Sequence, residues 1–106
     1  MSKSIAEIQH AFDVDGRLYL VRIRAVGNQC APVSVSAFDV YVSAVLADIL
    51  PEYNRAEPEL VARQVVNYIR PLVPATADQL GDFADVVLAF VCEQQLAARD
   101  TDGRPY

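Results

Sequence analysis

The chain has one histidine, no tryptophan, one methionine, two cysteines and four glycines. Each scarcity removes a class of chemistry. A lone His10 without any CxxC spacing cannot furnish the ligand set of a structural zinc site, so no metal is expected. The glycines are scattered and form no phosphate-cradling loop, so no nucleotide cofactor is expected either. There is no G-x-S-x-G, and Cys30 and Cys92 stand at no recognised nucleophile spacing from His10. No apolar run approaches the roughly 18 residues that a membrane helix needs. The start, MSKSIAEIQH, has no apolar h-region. These absences read as a cytoplasmic protein with reduced thiols, whose two cysteines are expected to be small buried hydrophobes. Positive charge is also short. Nine Lys and Arg against fourteen Asp and Glu leave a net charge of −5, which repels phosphate and argues against direct nucleic-acid binding.

Apolar residues, by contrast, are plentiful. They make up 53 % of the 106 residues, enough for a rich core or for a face covered by a partner. A chain of this length forms one domain and hides about 65 % of its unfolded surface on folding.

The segment FDVDGRLYLVRIR predicts a β-hairpin about Asp15-Gly16, where glycine accepts positive φ freely and aspartate tolerates it. A two-residue loop there pairs Val14 with Arg17, Phe12 with Tyr19, His10 with Val21 and Ile8 with Ile23. The period of two places all these on one face, which should meet the core. The other face then pairs Glu7 with Arg24, Gln9 with Arg22, Ala11 with Leu20 and Asp13 with Leu18. Glu7 and Arg24 are expected to form a cross-strand ion pair.

Residues 33–42 fit either a strand or a helix start. Val33 and Val35 alternate with serines, as in a short strand. From Ala37 the spacing of Phe38, Val42, Val45, Leu46 and Ile49 predicts a helix to Leu50, with Ser36 and Asp39 as a variant capping box. Its β-branched residues count against it. Glu57-Pro58-Glu59 opens a second helix with Val61, Ala62, Val65, Tyr68, Ile69 and Leu72 on one side, closed by Pro71 and Pro74. Glu59 and Arg63 fall at i,i+4 for an ion pair. Thr76 and Gln79 form a T-x-x-Q box that starts a third helix, expected to end near Ala98. Apolar residues from Leu80 to Val91 fill more than half of its circumference. A surface helix usually needs a narrower stripe, so this one is expected to be central or packed on two sides.

The remaining arc of the third helix carries Asp78, Asp82, Asp85 and Glu93. The first two suit the positive end of the helix dipole. No Lys or Arg at i,i+4 relieves the row, and Glu93 stands at the wrong end for the dipole. A row of carboxylates sharing one wet face offers no split in pKa for acid–base catalysis, and an enzyme is not expected. A basic partner would gain from the row by steering.

These readings predict an α+β domain over residues 1–99. An N-terminal antiparallel hairpin, with a short third strand left open, packs against three helices, and residues 100–106 form a flexible tail. The expected function is a non-enzymatic protein–protein interaction module, homodimeric, with an acidic helix face for a basic partner. Its expected contact residues are Leu18, Leu20, Arg22 and Arg24 on the hairpin's outer face, and Asp78, Asp82, Asp85 and Glu93 on the last helix. Leu18, Leu20 and Ala11 form an apolar island that a loop of the chain or a second copy should cover. Two alternatives belong to other classes. One is a small acidic inhibitor, antitoxin or immunity-type protein that blocks a positively charged site. The other is an enzyme or ligand-binding domain with His10, Tyr19 and Tyr41 in a pocket between hairpin and helices.

Overall fold

The computed structural model describes residues 7–26 and 36–102, with backbone alone for 99–102. A three-stranded sheet is covered on one face by helices. Its strands are β1 (Glu7–Val14), β2 (Arg17–Arg24) and β3 (Val40–Val45), in the order β1-β2-β3. The helices are α1 (Leu46–Ile49), α2 (Pro58–Ile69) and α3 (Ala77–Asp102).

The β1–β2 hairpin has the expected register, from Glu7 opposite Arg24 to Val14 opposite Arg17. Asp15 (φ 54°) and Gly16 (φ 80°) make the turn. Two successive positive φ angles match the right-handed twist of the strands, which is why Asp-Gly sets the register. Phe12, Tyr19, Val21 and Ile23 all point into the core.

β3 departs from expectation. Residues 40–45 form a strand parallel to β2, with Tyr19 opposite Val40 and Arg24 opposite Val45, and not the body of a helix over 37–50. Only Leu46–Ile49 is helical. The segment satisfies both periods, but the strand period orders its burial: Val42 and Ala44 are buried while Tyr41 and Ser43 are exposed. A hairpin leaves one edge of β2 with unpaired N–H and C=O groups, and pairing that edge decides between the two. Asp39 does not cap a helix. Its Oδ2 accepts the Leu18 N–H at 2.8 Å, and its own N–H donates to the Leu18 carbonyl at 2.8 Å, which pins the start of β3. Val33 and Val35 lie outside the described residues.

α2 begins with Pro58 and buries Val61, Ala62, Val65, Val66 and Ile69. Tyr68 and Leu72, expected on this side, are exposed, and Val66 takes their place. The capping box of α3 is formed as expected. Gln79 N–H donates to Thr76 Oγ1 at 3.2 Å and Thr76 N–H donates to Gln79 Oε1 at 2.9 Å. Gln79 Nε2 also donates to the Asp13 carbonyl at 2.8 Å and fastens the box to β1. The helical backbone continues to Asp102, into the stretch expected as a tail. Residues 103–106 are outside the described ones.

α3 is packed on two sides, against α2 and β1. Phe83, Val87, Phe90 and Val91 are essentially closed to solvent. Phe83 meets Phe12 at a ring separation of 5.4 Å, edge to face. Burying each such ring contributes about 1.5–3 kcal/mol. α2 and α3 run antiparallel through the short connection 70–76. Pro58 therefore lies beside Gln95 and Ala98 at one end, and Arg70 beside Leu80 and Gly81 at the other.

Candidate functional site

Two residues of the hairpin's outer face are closed off within the chain. Leu20 is 4 % exposed and Arg22 8 %. The apolar island therefore offers no bare spot at Leu20 for a second copy to cover. Glu7 reaches diagonally to Arg22 and not straight across to Arg24 as expected: Arg22 Nε donates to Glu7 Oε1 at 2.6 Å. Gln9 Nε2 donates to the other carboxylate oxygen at 3.0 Å. Hydrogen bonds to Tyr41 and to Glu7 raise the guanidinium pKa above its ordinary value. Glu7, Arg22 and Tyr41 belong to β1, β2 and β3, so this cation is a clamp across the sheet. Leu18 is half-buried with its N–H held by Asp39. Arg24, also half-buried, lines a separate cleft of about 550 Å³ with Asp48, Asn67 and Tyr68. The four expected hairpin residues share one face of β2, with Leu20 and Arg22 buried and Leu18 and Arg24 half-buried.

His10 sits on the core face of β1, half-buried between rings. Its centroid is 4.8 Å from that of Phe12 and 5.3 Å from that of Phe83. Burial lowers its pKa, and the nearby Asp82 carboxylate opposes that shift. The three polar groups expected to share a pocket do not converge. Tyr19 is buried on the same face as His10, while Tyr41 pairs with Leu20 and lies on the opposite face of the sheet. Cys92 is exposed and not a core residue. Cys30 is outside the described residues. Among the described residues no cluster of His, Cys, Asp or Glu could hold a metal ion, and no helix is long and apolar enough to cross a membrane.

The remaining surface of note is the helical layer. Asp78, Asp82, Asp85 and Glu93 are all exposed on α3. Beside them runs an open groove of about 660 Å³ between α2 and α3. Ala62, Val66, Leu80, Ala84 and Leu88 make its apolar floor, and Gly81 keeps it wide. Glu59, Arg63 and Arg70 stand on the α2 wall and Asp85 on the α3 wall. The expected ion pair between Glu59 and Arg63 is not formed; among the described residues the Glu7–Arg22 bridge is the ion pair seen. Glu59, Arg63, Arg70 and Asp85 are all exposed, so the rim of the groove carries charges of both signs.

The sequence reading identified the acidic row and missed the groove. A signal existed: Ala77, Gly81, Ala84 and Leu88 recur at helical spacing on one side of α3, next to the acidic arc. Residues that small leave the neighbouring helix room but fill little of it. No family model matches this chain, and neither a curated protein nor a solved structure shows significant similarity to it.

Proposed function

We propose that this protein is a non-enzymatic protein–protein interaction module whose working surface is the outer face of the α2–α3 layer. The observation that carries this reading is the groove of about 660 Å³, apolar at its floor and bordered by exposed Glu59, Arg63, Arg70 and Asp85, with Asp78 and Asp82 exposed further along α3. A groove between two helices takes an amphipathic helix by burying its apolar side, and charged rims set partner and orientation. The acidic row of α3 faces a basic row on what docks there. Two of the hairpin's four expected contact residues are closed off, Arg22 by its bond to Glu7 and Leu20 by burial.

Gly81→Trp tests the groove. A Cβ at Gly81 meets nothing within 4 Å, so the position accepts a side chain, and Gly81 lines the groove that the indole is meant to occupy. Affinity capture from the native host, with a differently tagged copy of the chain included, should retain specific partners on the wild type. These should be lost on Gly81→Trp and weakened on D78N/D82N/D85N. A partner list unchanged by both variants would remove this face from the function.

A further inference from the structure

We infer that β3 pairs with β3 of a second copy of this chain, antiparallel and centred on Ser43, so that the two sheets join edge to edge into one. The site is the open edge of the sheet and is separate from the α2–α3 groove.

Hydrogen-bond direction identifies the open groups. The N–H and the carbonyl of Leu18 both turn to Asp39, toward β3. The period of two turns those of Leu20, Arg22 and Arg24 the same way. In a parallel pair, each such residue bonds the two that flank its opposite number. Leu20 and Arg22 stand opposite Tyr41 and Ser43, so their bonds go to Val40, Val42 and Ala44. The N–H and carbonyl groups of Tyr41, Ser43 and Val45 therefore point away from β2. Among the described residues no strand lies beyond β3. A row of outward backbone donors and acceptors is matched by another extended strand.

The two edges of the sheet differ. β1 carries Glu7 and Asp13, and Gln79 Nε2 occupies the Asp13 carbonyl at 2.8 Å. β3 reads VYVSAV, with no charge and no proline. Natural edges are kept from pairing by charges, proline and bulges, so β3 is the edge built to pair. A cleft of about 550 Å³ lies open beside Ser43, Ala44 and Val45, with Gln64, Asn67 and Tyr68 of α2 on its other side.

The sequence of β3 matches itself. Outward groups must meet outward groups, which sets odd-numbered residues against odd-numbered ones. Centring on Ser43 satisfies this and sets Tyr41 opposite the partner's Val45, Val42 opposite the partner's Ala44, and Ser43 opposite its own copy. An aromatic ring then faces a β-branched side chain at each end, a favourable cross-strand pair, and the smallest polar side chain lies on the axis. No like charges meet. The twofold arrangement also closes, whereas β3 against the partner's β1 would leave an edge free at each end and build an open filament.

The Ser43 N–H bonds nothing within the sheet, so Ser43→Pro removes an outward donor and leaves the β2–β3 ladder whole. Ser43→Lys instead sets two ammonium groups together on the axis. Sedimentation equilibrium at about 50 µM, above a low-micromolar Kd, reads the assembly state. The wild type should be dimeric and both variants monomeric, with helicity retained by circular dichroism. Register is read by cross-linking on a C30S/C92S background. Ser43→Cys should oxidise to a covalent dimer, because pairing on the axis sets its two Cα atoms about 5.5 Å apart, within disulfide reach. Tyr41→Cys alone should not, but its equimolar mixture with Val45→Cys should. A wild-type monomer, a dimer that persists in both Ser43→Pro and Ser43→Lys, or Tyr41→Cys cross-linking as well as Ser43→Cys overturns the inference. Gly81→Trp should stay dimeric; a folded, monomeric Gly81→Trp would place the interface at the groove and overturn it too. If the wild type is monomeric and Ser43→Pro abolishes capture of a different protein, the edge takes a foreign strand and the second copy is excluded.

Discussion

Gln95 is expected to be a keystone of the domain. It is 5 % exposed on α3, and its Nε2 donates to the carbonyls of Tyr53 and Ala56, each at 2.8 Å. The turns between α1 and α2 use the carbonyls of Leu50 and Glu52, which accept from Tyr53, Arg55 and Ala56. The Tyr53 and Ala56 carbonyls are left over from that network, and one amide group serves both. Replacing Gln95 with Met keeps length and volume and deletes the donor. The buried Tyr53 carbonyl then loses about 1–3 kcal/mol of compensation, and the part-buried Ala56 carbonyl, which water can reach, about 0.5–1.5 kcal/mol. The sum is about 1.5–4.5 kcal/mol. For a domain of this size each kcal/mol lowers Tm by about 4–8 °C, so a fall of roughly 6–36 °C is expected. Urea unfolding analysed by linear extrapolation reads the same quantity. Gln95→Glu should be worse at neutral pH, because a carboxylate aimed at two carbonyls has nothing to donate. If Gln95→Met unfolds within about 0.5 kcal/mol of the wild type, a range typical of surface substitutions, the reasoning is refuted.

His10 predicts a pH dependence. Burial lowers its folded-state pKa below the unfolded value of 6.5, so between the two the unfolded chain binds more protons. The stabilisation is whole above pH 6.5 and declines as pH falls from there through the folded pKa. Thermal melts across that window should show Tm falling with pH, and His10→Phe should flatten the slope; an equal slope in the variant would exclude His10 as its source. Asp82→Asn removes the opposing carboxylate and should steepen it. Thr76→Ala breaks the α3 capping box and should cost about 1 kcal/mol. Gln79→Ala should cost more, because it also cuts the bond to Asp13; a smaller loss would deny that link. Asp39→Ala should cost about 0.5–1.5 kcal/mol and speed amide exchange at the start of β3, while Asp39→Asn, which keeps an acceptor oxygen, should retain most of the protection. Exchange unchanged in the alanine variant would show that β3 needs no pin there.

The elements legible in the sequence were those whose causes lie within a few residues. Asp15-Gly16 sets a turn of one handedness, and any slip of the strands would carry Phe12, Val21 and Ile23 out of the core, so the register followed from the chain alone. Pro58 and the Thr76–Gln79 box likewise announced α2 and α3, because a cap and a first-turn proline act on backbone groups beside them in sequence. Residues 40–45 were not decidable in this way. Val42 satisfies a helix and a strand equally, and the free edge of β2 that made it a strand exists only once the hairpin has formed. Tertiary placement also turned Glu7 from Arg24 to Arg22, buried Leu20 on the face expected to be bare, and carried Gln95 to two carbonyls some forty positions earlier in the chain. The groove belongs with these. Asp85 on one wall could be read from the spacing along α3, but Glu59, Arg63 and Arg70 stand across from it only because α2 folds back antiparallel beside α3. Local backbone chemistry acts at a distance of a turn or less; which side chains meet across the domain depends on how the elements are stacked.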